Sequence, residues 1–228
     1  MISMNLNLIC LVGGLYIMKE ILCFGDSNTY GLIPATKDRY DWNTRWTGIL
    51  SKKIEKNGYR VVEEGLCGRT TIFEDATRKG RKGADLLPII LETHKPIDTV
   101  VLMLGTNDCK TAYGATAEKI GSGIELLIKQ IKDSDPDINI ILVSPIELGE
   151  GVGEEGFDIE FNENSVEVSK QLPKVYRKIA KKYDTDFVAA SDYARPSSAD
   201  REHLNEFGHR QLAEAIYNQF YSKIREAV

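Results

Sequence analysis

Histidine is scarce in this chain: three occur in 228 residues. Chemistry that turns on an imidazole therefore has to choose among His94, His203 and His209. Cysteine is nearly as rare, with Cys10, Cys23, Cys67 and Cys109. None stands in a C-x-x-C pair, which excludes a zinc ribbon and a thioredoxin-type redox motif. Scattered histidines and unpaired cysteines make no metal-ligand cluster, so no metal and no cofactor is expected. Positive charge is not in excess either. The formal net charge is −5, which gives no electrostatic basis for a nucleic-acid partner. No apolar run is long enough to span a bilayer: residues 8–17 come nearest, and Gly13-Gly14 interrupts them. Residues 1–18 hold no Lys or Arg, so the basic start of a secretory signal is missing. Internal repeats, linkers and low-complexity stretches are also absent.

These absences leave one soluble domain with ordinary means of folding. Hydrophobic residues make up 42% of the chain, enough at this length to bury a core without disulfides. Free buried cysteines suit a reducing compartment, and the cytoplasm is the expected location. Met18-Lys19-Glu20-Ile21 looks like the start of a first strand. Residues 1–17 are therefore expected to be an extension outside the core, with an extra strand or helix packed on the domain edge as the alternative, and residues 18–228 a single domain.

Short apolar runs then alternate with helical periodicity. Strands are expected at residues 20–24, 59–63, 98–104, 138–144 and 186–189. Between them fall helical faces. Trp46, Ile49, Leu50 and Ile54 make the first, stopped by Asn57-Gly58. Leu86, Leu87, Ile90 and Leu91 make the second. Ile120, Ile124, Leu127, Ile128 and Ile131 line a helix over 116–133. Val168, Leu172, Val175 and Ile179 line another over 165–183, with Pro173 inside it expected to bend or restart it. A closing helix runs from Asn205, with Leu212, Ile216 and Phe220 inward. Strands alternating with helices imply βαβ units. The expected fold is a flavodoxin-like three-layer α/β/α sandwich on a five-stranded parallel sheet of order 2-1-3-4-5.

The first strand runs straight into Gly25-Asp26-Ser27-Asn28. In an open parallel sheet, ligands sit outside the carboxyl ends of the strands. Ser27 at that edge fits two readings, a turn or helix cap and a nucleophile whose base and oxyanion donors come from elsewhere. No G-x-S-x-G surrounds it, so the nucleophile elbow of α/β-hydrolases is not supported. Three other segments share its position after a strand or before a helix. Gly68 follows the second strand in Glu64-Gly65-Leu66-Cys67-Gly68-Arg69-Thr70-Thr71. Gly105-Thr106-Asn107-Asp108 follows the third, and Asp200-Arg201-Glu202-His203 precedes the last helix.

These four blocks, in this order, resemble those of the SGNH, or GDSL, hydrolase family. Arg45-Trp46-Thr47-Gly48 and Leu104-Gly105-Thr106-Asn107-Asp108 look like its arylesterase and acyltransferase branch. The resemblance covers residue 19 to the last helix. One departure is Asn28, where the family name has leucine. The resemblance implies that Ser27 is the nucleophile, His203 its base and Asp200 the orienting acid. It implies an oxyanion hole from the Ser27 and Gly68 backbone N–H groups and the Asn107 side-chain amide. Glycine at 68 suits a backbone that approaches substrate closely. Asp108 is expected to brace neighbouring loops, His94 to cap a helix end, and His209 to pack or lie at the surface.

Gly151-Val152-Gly153-Glu154-Glu155-Gly156 matches G-x-G-x-x-G. It follows the fourth strand, and its two glutamates would repel a pyrophosphate. It is expected to be a mobile lid loop. Asn28, Phe157 and Phe161 are the expected pocket residues, with ordinary core packing open for the two phenylalanines. The basic stretch 78–82 is expected to be a solvated loop, or a contact for an anionic substrate or a neighbouring subunit. The implied activity is hydrolysis of small, acetyl-like esters through an acyl-enzyme, with transfer to alcohols as a further activity. The alternatives are a carbohydrate O-deacetylase with the same residues and a non-catalytic binding domain. The partner implied is a small-molecule ester, with neither membrane nor nucleic acid and with a homo-oligomer left open.

Overall fold

The computed structural model describes residues 18–226. The expected extension over 1–17 lies outside the described residues. Five strands, β1 (Lys19–Gly25), β2 (Tyr59–Gly65), β3 (Thr99–Met103), β4 (Asn139–Ser144) and β5 (Asp186–Ala189), form one sheet of order β2-β1-β3-β4-β5. All four pairings are parallel. Six helices accompany it: α1 (Ser27–Tyr30), α2 (Trp46–Ile54), α3 (Gly83–Thr93), α4 (Ala117–Ser134), α5 (Glu163–Tyr183) and α6 (Glu206–Glu226). The fold class and strand order are those expected.

Strand periodicity divides the core in two. Leu22, Phe24, Val100, Leu102, Ile140 and Leu142 face one layer, where they pack with Leu87, Leu91, Ile124, Ile128 and Leu172 of α3, α4 and α5. Their immediate neighbours Ile21, Cys23, Val101, Met103, Ile141 and Val143 point the other way. They meet Trp46, Leu50, Leu212 and Ile216 of α2 and α6. Successive strand side chains point to opposite faces, so a strand buried on both reads as an unbroken apolar run.

Two helix expectations are corrected. α5 begins before residue 165 because Asn162 caps it: its side chain accepts from the Ser165 N–H, and Ser165 Oγ accepts from the Asn162 N–H. This reciprocal box uses serine where glutamate or glutamine is usual. α5 also continues through Pro173 without interruption. The four-residue α1 was not foreseen. It turns immediately after β1, with Asp26 Oδ1 accepting from the Asn28 N–H at 3.0 Å. Among the described residues no helix is long and apolar enough to cross a membrane.

Candidate active site

The sheet places three loops at one edge. Gly25 pairs with Gly65 on one side and with Met103 on the other. The segments after β1, β2 and β3 therefore leave the sheet together. The chain passes from β1 out to β2 and then crosses back to β3, which makes the β1/β3 junction the topological switch point. Ser27, Gly68 and Asn107 lie two, three and four residues past those strand ends. Gly25 admits no side chain, because a Cβ there would stand 2.0 Å from Thr29 Oγ1. That close approach lets α1 fold back tightly on the strand.

The fourth segment comes from the far end of the chain. His203 precedes α6 by three residues, and its loop is tied to α1. The Leu204 N–H donates to Asn28 Oδ1 at 2.9 Å, and the Ala35 N–H to Asp200 Oδ2 at 3.0 Å. His203 Nε2 thereby stands 2.9 Å from Ser27 Oγ, across 176 residues of sequence. On the other side of the ring, Nδ1–H donates to Asp200 Oδ2 at 2.8 Å. Asp200 Oδ1 accepts from the backbone N–H groups of Glu202 and His203. Ser27 and His203 are screened from solvent, at 3% and 7% exposed, and Asp200 is half-buried.

The same loops carry backbone and side-chain donors. The Ser27 and Gly68 backbone N–H groups have no acceptor among the described residues. Gly68 sits at φ +83°, a conformation side chains resist, and the Arg78 guanidinium covers its face. Arg78 is held there by Asp75, whose Oδ2 accepts from Arg78 Nε at 2.9 Å. Asn107, 2% exposed, spends one Nδ2 hydrogen on the Arg69 carbonyl at 3.2 Å. An amide nitrogen carries two hydrogens, so the second is free. Asp108 turns away to accept from the Thr71 N–H and hydroxyl, the bracing expected of it. Burial pushes its carboxyl up to about 7.

Electrostatics concentrate on the imidazole. Burial lowers the His203 pKa, but the carboxylates of Glu202 and Asp200 outweigh it and hold the ring at about 9. Burial works against Asp200 as well, yet the hydrogen bond from His203 keeps its carboxyl down at about 2. Glu202 was not singled out in the sequence. Its Oε1 lies 3.6 Å from His203 Nε2, on the nitrogen that faces Ser27. The signal was a second acid inside the Asp200–His203 spacing.

The three expected pocket residues have different surroundings. Phe161 is 2% exposed and belongs to the core with Leu172 and Val152. The Phe157 ring is covered by the Arg201 guanidinium, 3.9 Å from its centroid. Asn28 accepts from the Leu204 N–H through Oδ1, while its buried Nδ2 has no partner among the described residues. The segment expected to be a lid loop is a run of turns: Val152 N–H donates to the Gly149 carbonyl, Glu154 N–H to that of Gly151, and Phe161 N–H to that of Asp158. Arg201 fastens it to the His203 loop through Glu154 Oε2 at 2.8 Å, and Lys110 fastens it to the loop after β3 through Glu160 at 2.6 Å. Arg201 holds φ +61°, a strained angle for a side-chain-bearing residue. His94 closes α3 and meets Glu64 Oε1 at 3.2 Å. His209 is fully buried and accepts from the Trp46 N–H. Among the described residues no cluster of His, Cys, Asp and Glu is placed to hold a metal.

Comparison with known proteins agrees with this geometry. The profile of the GDSL-like lipase/acylhydrolase family matches residues 23–211. An inhibitor-bound aryl esterase from M. smegmatis is 33% identical, with 90% of this chain and 99% of that one covered and a TM-score of 0.84. A carbohydrate acetylesterase family member from Sinorhizobium meliloti is 32% identical over 90% of this chain and 98% of that one, also with a TM-score of 0.84. A search of curated proteins found no match. A serine hydroxyl, an imidazole and a carboxylate meet at the carboxyl edge of a 2-1-3-4-5 sheet, inside the region that the family profile spans; the chain belongs to the GDSL-like lipase/acylhydrolase family and is a serine hydrolase acting on ester bonds.

Proposed function

We propose that Ser27, His203 and Asp200 carry out this hydrolysis on esters of small acyl groups, acetyl above all, through an acyl-enzyme. The observation that carries the proposal is the unbroken relay from Ser27 Oγ to His203 Nε2 at 2.9 Å and from His203 Nδ1 to Asp200 at 2.8 Å. A serine hydroxyl is a weak nucleophile until a base takes its proton, and His203 is in reach to do so. Asp200 holds the ring in the tautomer that leaves Nε2 free to accept. As Ser27 attacks, the carbonyl oxygen becomes an oxyanion. The Ser27 and Gly68 N–H groups and the second Nδ2 hydrogen of Asn107 meet that charge only as it develops. The proton on Nε2 then passes to the leaving alcohol. Water, deprotonated by the same nitrogen, releases the acid, and an alcohol in its place makes the step an acyl transfer.

A second reading, removal of acetyl groups from carbohydrate, rests on the likeness to the Sinorhizobium meliloti acetylesterase. It also rests on Trp42, 38% exposed, an aromatic face of the kind sugars stack on. The test is a panel of p-nitrophenyl esters of rising chain length beside an acetylated sugar, with fluorophosphonate labelling of wild type and Ser27→Ala. We expect labelling and turnover in the wild type, and both lost by several orders of magnitude in the variant. A Ser27→Ala protein that keeps a tenth of wild-type turnover removes Ser27 from the role. A profile that rises with chain length removes the preference for acetyl.

A further inference from the structure

We propose that Glu202 is a positioning residue that competes with Ser27 for the proton chemistry of His203 Nε2 and so sets the pH at which the base becomes available. The inference rests on the triad reading above. Its basis is spatial. His203 Nε2 has two neighbours: Ser27 Oγ at 2.9 Å and Glu202 Oε1 at 3.6 Å. The second is within ion-pair distance and just beyond a hydrogen bond. Both side chains are almost enclosed, at 9% exposure for His203 and 8% for Glu202. A carboxylate so enclosed is costly unless a positive charge or hydrogen-bond donors compensate it.

The surroundings supply little else. Asp200 of the same loop and Asp158 of the 149–162 segment face Glu202 with like charge, and Lys110 with opposite charge. Lys110, however, is engaged with Glu160 at 2.6 Å. From the β1 end, Asp26 adds its charge toward the imidazole. Burial pushes the Glu202 carboxyl up to about 7, against the pull of His203. His203 and Glu202 therefore behave as one coupled pair that shares a proton. When Nε2 holds that proton, Glu202 is a carboxylate and Ser27 has no base. When the proton sits on the Glu202 carboxyl oxygen, Nε2 is free to accept from Ser27. Once the pair has lost its shared proton, the Glu202 carboxylate stabilises the imidazolium that forms during attack, so Glu202 aids the intermediate while it delays the resting base.

Glutamine at 202 keeps the size and removes the charge. With no anion beside Nε2, the imidazole binds its proton less tightly, and the neutral base survives to lower pH. The experiment follows the His203 ring by ¹⁵N NMR against pH in wild type, Glu202→Gln and Glu202→Ala, and the acid limb of kcat/KM on one activated acetyl ester. We expect both variants to move the ring titration and the acid limb down together by about one pH unit or more, the range that a neighbouring like-sited charge produces. Well below both midpoints, that shift makes the variant about tenfold richer in neutral imidazole at equal pH. A residue that merely packs would change rate or melting temperature and leave both midpoints in place. Midpoints equal to wild type in the variants overturn the proposal. The NMR arm needs no substrate: if it shifts while Ser27→Ala keeps its turnover, the triad reading fails and the Glu202 coupling stands.

Discussion

Exchanging Asn107 for alanine and for aspartate separates an oxyanion donor from a turn former. Asn107 opens a single turn of 3-10 helix just beyond β3, and its Nδ2 is 3.2 Å from the Arg69 carbonyl in a place only 2% exposed. Alanine removes both the bond to Arg69 and the free hydrogen. Loss of one oxyanion donor costs about a hundred- to a thousand-fold in kcat, or about 3 to 4 kcal/mol of transition-state stabilisation. The charge it meets is absent from the bound ester, so KM moves less than kcat. Aspartate is the more telling change. It sets a carboxylate oxygen against the Arg69 carbonyl, acceptor to acceptor, and turns negative charge toward the developing oxyanion. We expect its kcat to be no better than that of alanine, and its melting temperature to be lower because a buried charge lacks a donor. A turn former behaves in the opposite way, since aspartate makes the same local backbone bonds as asparagine. The assay is kcat and KM on p-nitrophenyl acetate with thermal denaturation alongside. An Asn107→Asp protein with near-normal kcat and a normal melting temperature refutes the oxyanion role.

Asp200→Asn is expected to lower kcat by about three to four orders of magnitude and to destabilise the loop. Asp200 accepts from the N–H groups of Ala35, Glu202 and His203 and from the His203 ring, and an amide must turn a donor toward one of those pairs; turnover within tenfold of wild type excludes Asp200 from the relay. His209 gives a stability test. Burial, with the Arg45 charge second, lowers its pKa to about 4, against about 6.5 in an unfolded chain. Between those values the unfolded state binds more protons, so stability falls as pH drops from 6.5 toward 4, by up to about 3 kcal/mol from this residue. Denaturant unfolding of wild type and His209→Gln at several pH values should show a shallower fall for the variant in that window; identical slopes refute a buried neutral His209.

Much of this protein was legible one residue at a time. β-Strand periodicity of two and helix periodicity of 3.6 are local properties. Runs such as Ile21-Leu22-Cys23-Phe24 and faces such as Ile120, Ile124, Leu127 and Ile131 therefore announce themselves in the chain. Their alternation already implies a parallel sheet, because a parallel pair needs a crossover, and the observed order is β2-β1-β3-β4-β5. Ser27, Gly68, Asn107 and His203 were legible through the resemblance of their four blocks to the SGNH family. Each also follows a strand or precedes a helix, where an open sheet gathers its loops.

Tertiary structure decided the rest. Phe161 and Phe157 lie four residues apart in one loop, and nothing local distinguishes them. Only the packing puts Phe161 in the core beside Leu172 and sets Phe157 under Arg201. The Gly151–Gly156 motif shows no partner in sequence, and only the tertiary structure sets Glu154 against Arg201. Asn28 stands beside Ser27 in the chain, and the partner of its Oδ1, the Leu204 N–H, lies 176 residues away. Glu202 is the clearest case. Its meaning depends on standing 3.6 Å from one ring nitrogen in a nearly dry site, and distance and burial are set by long-range packing, which no spacing along the chain records.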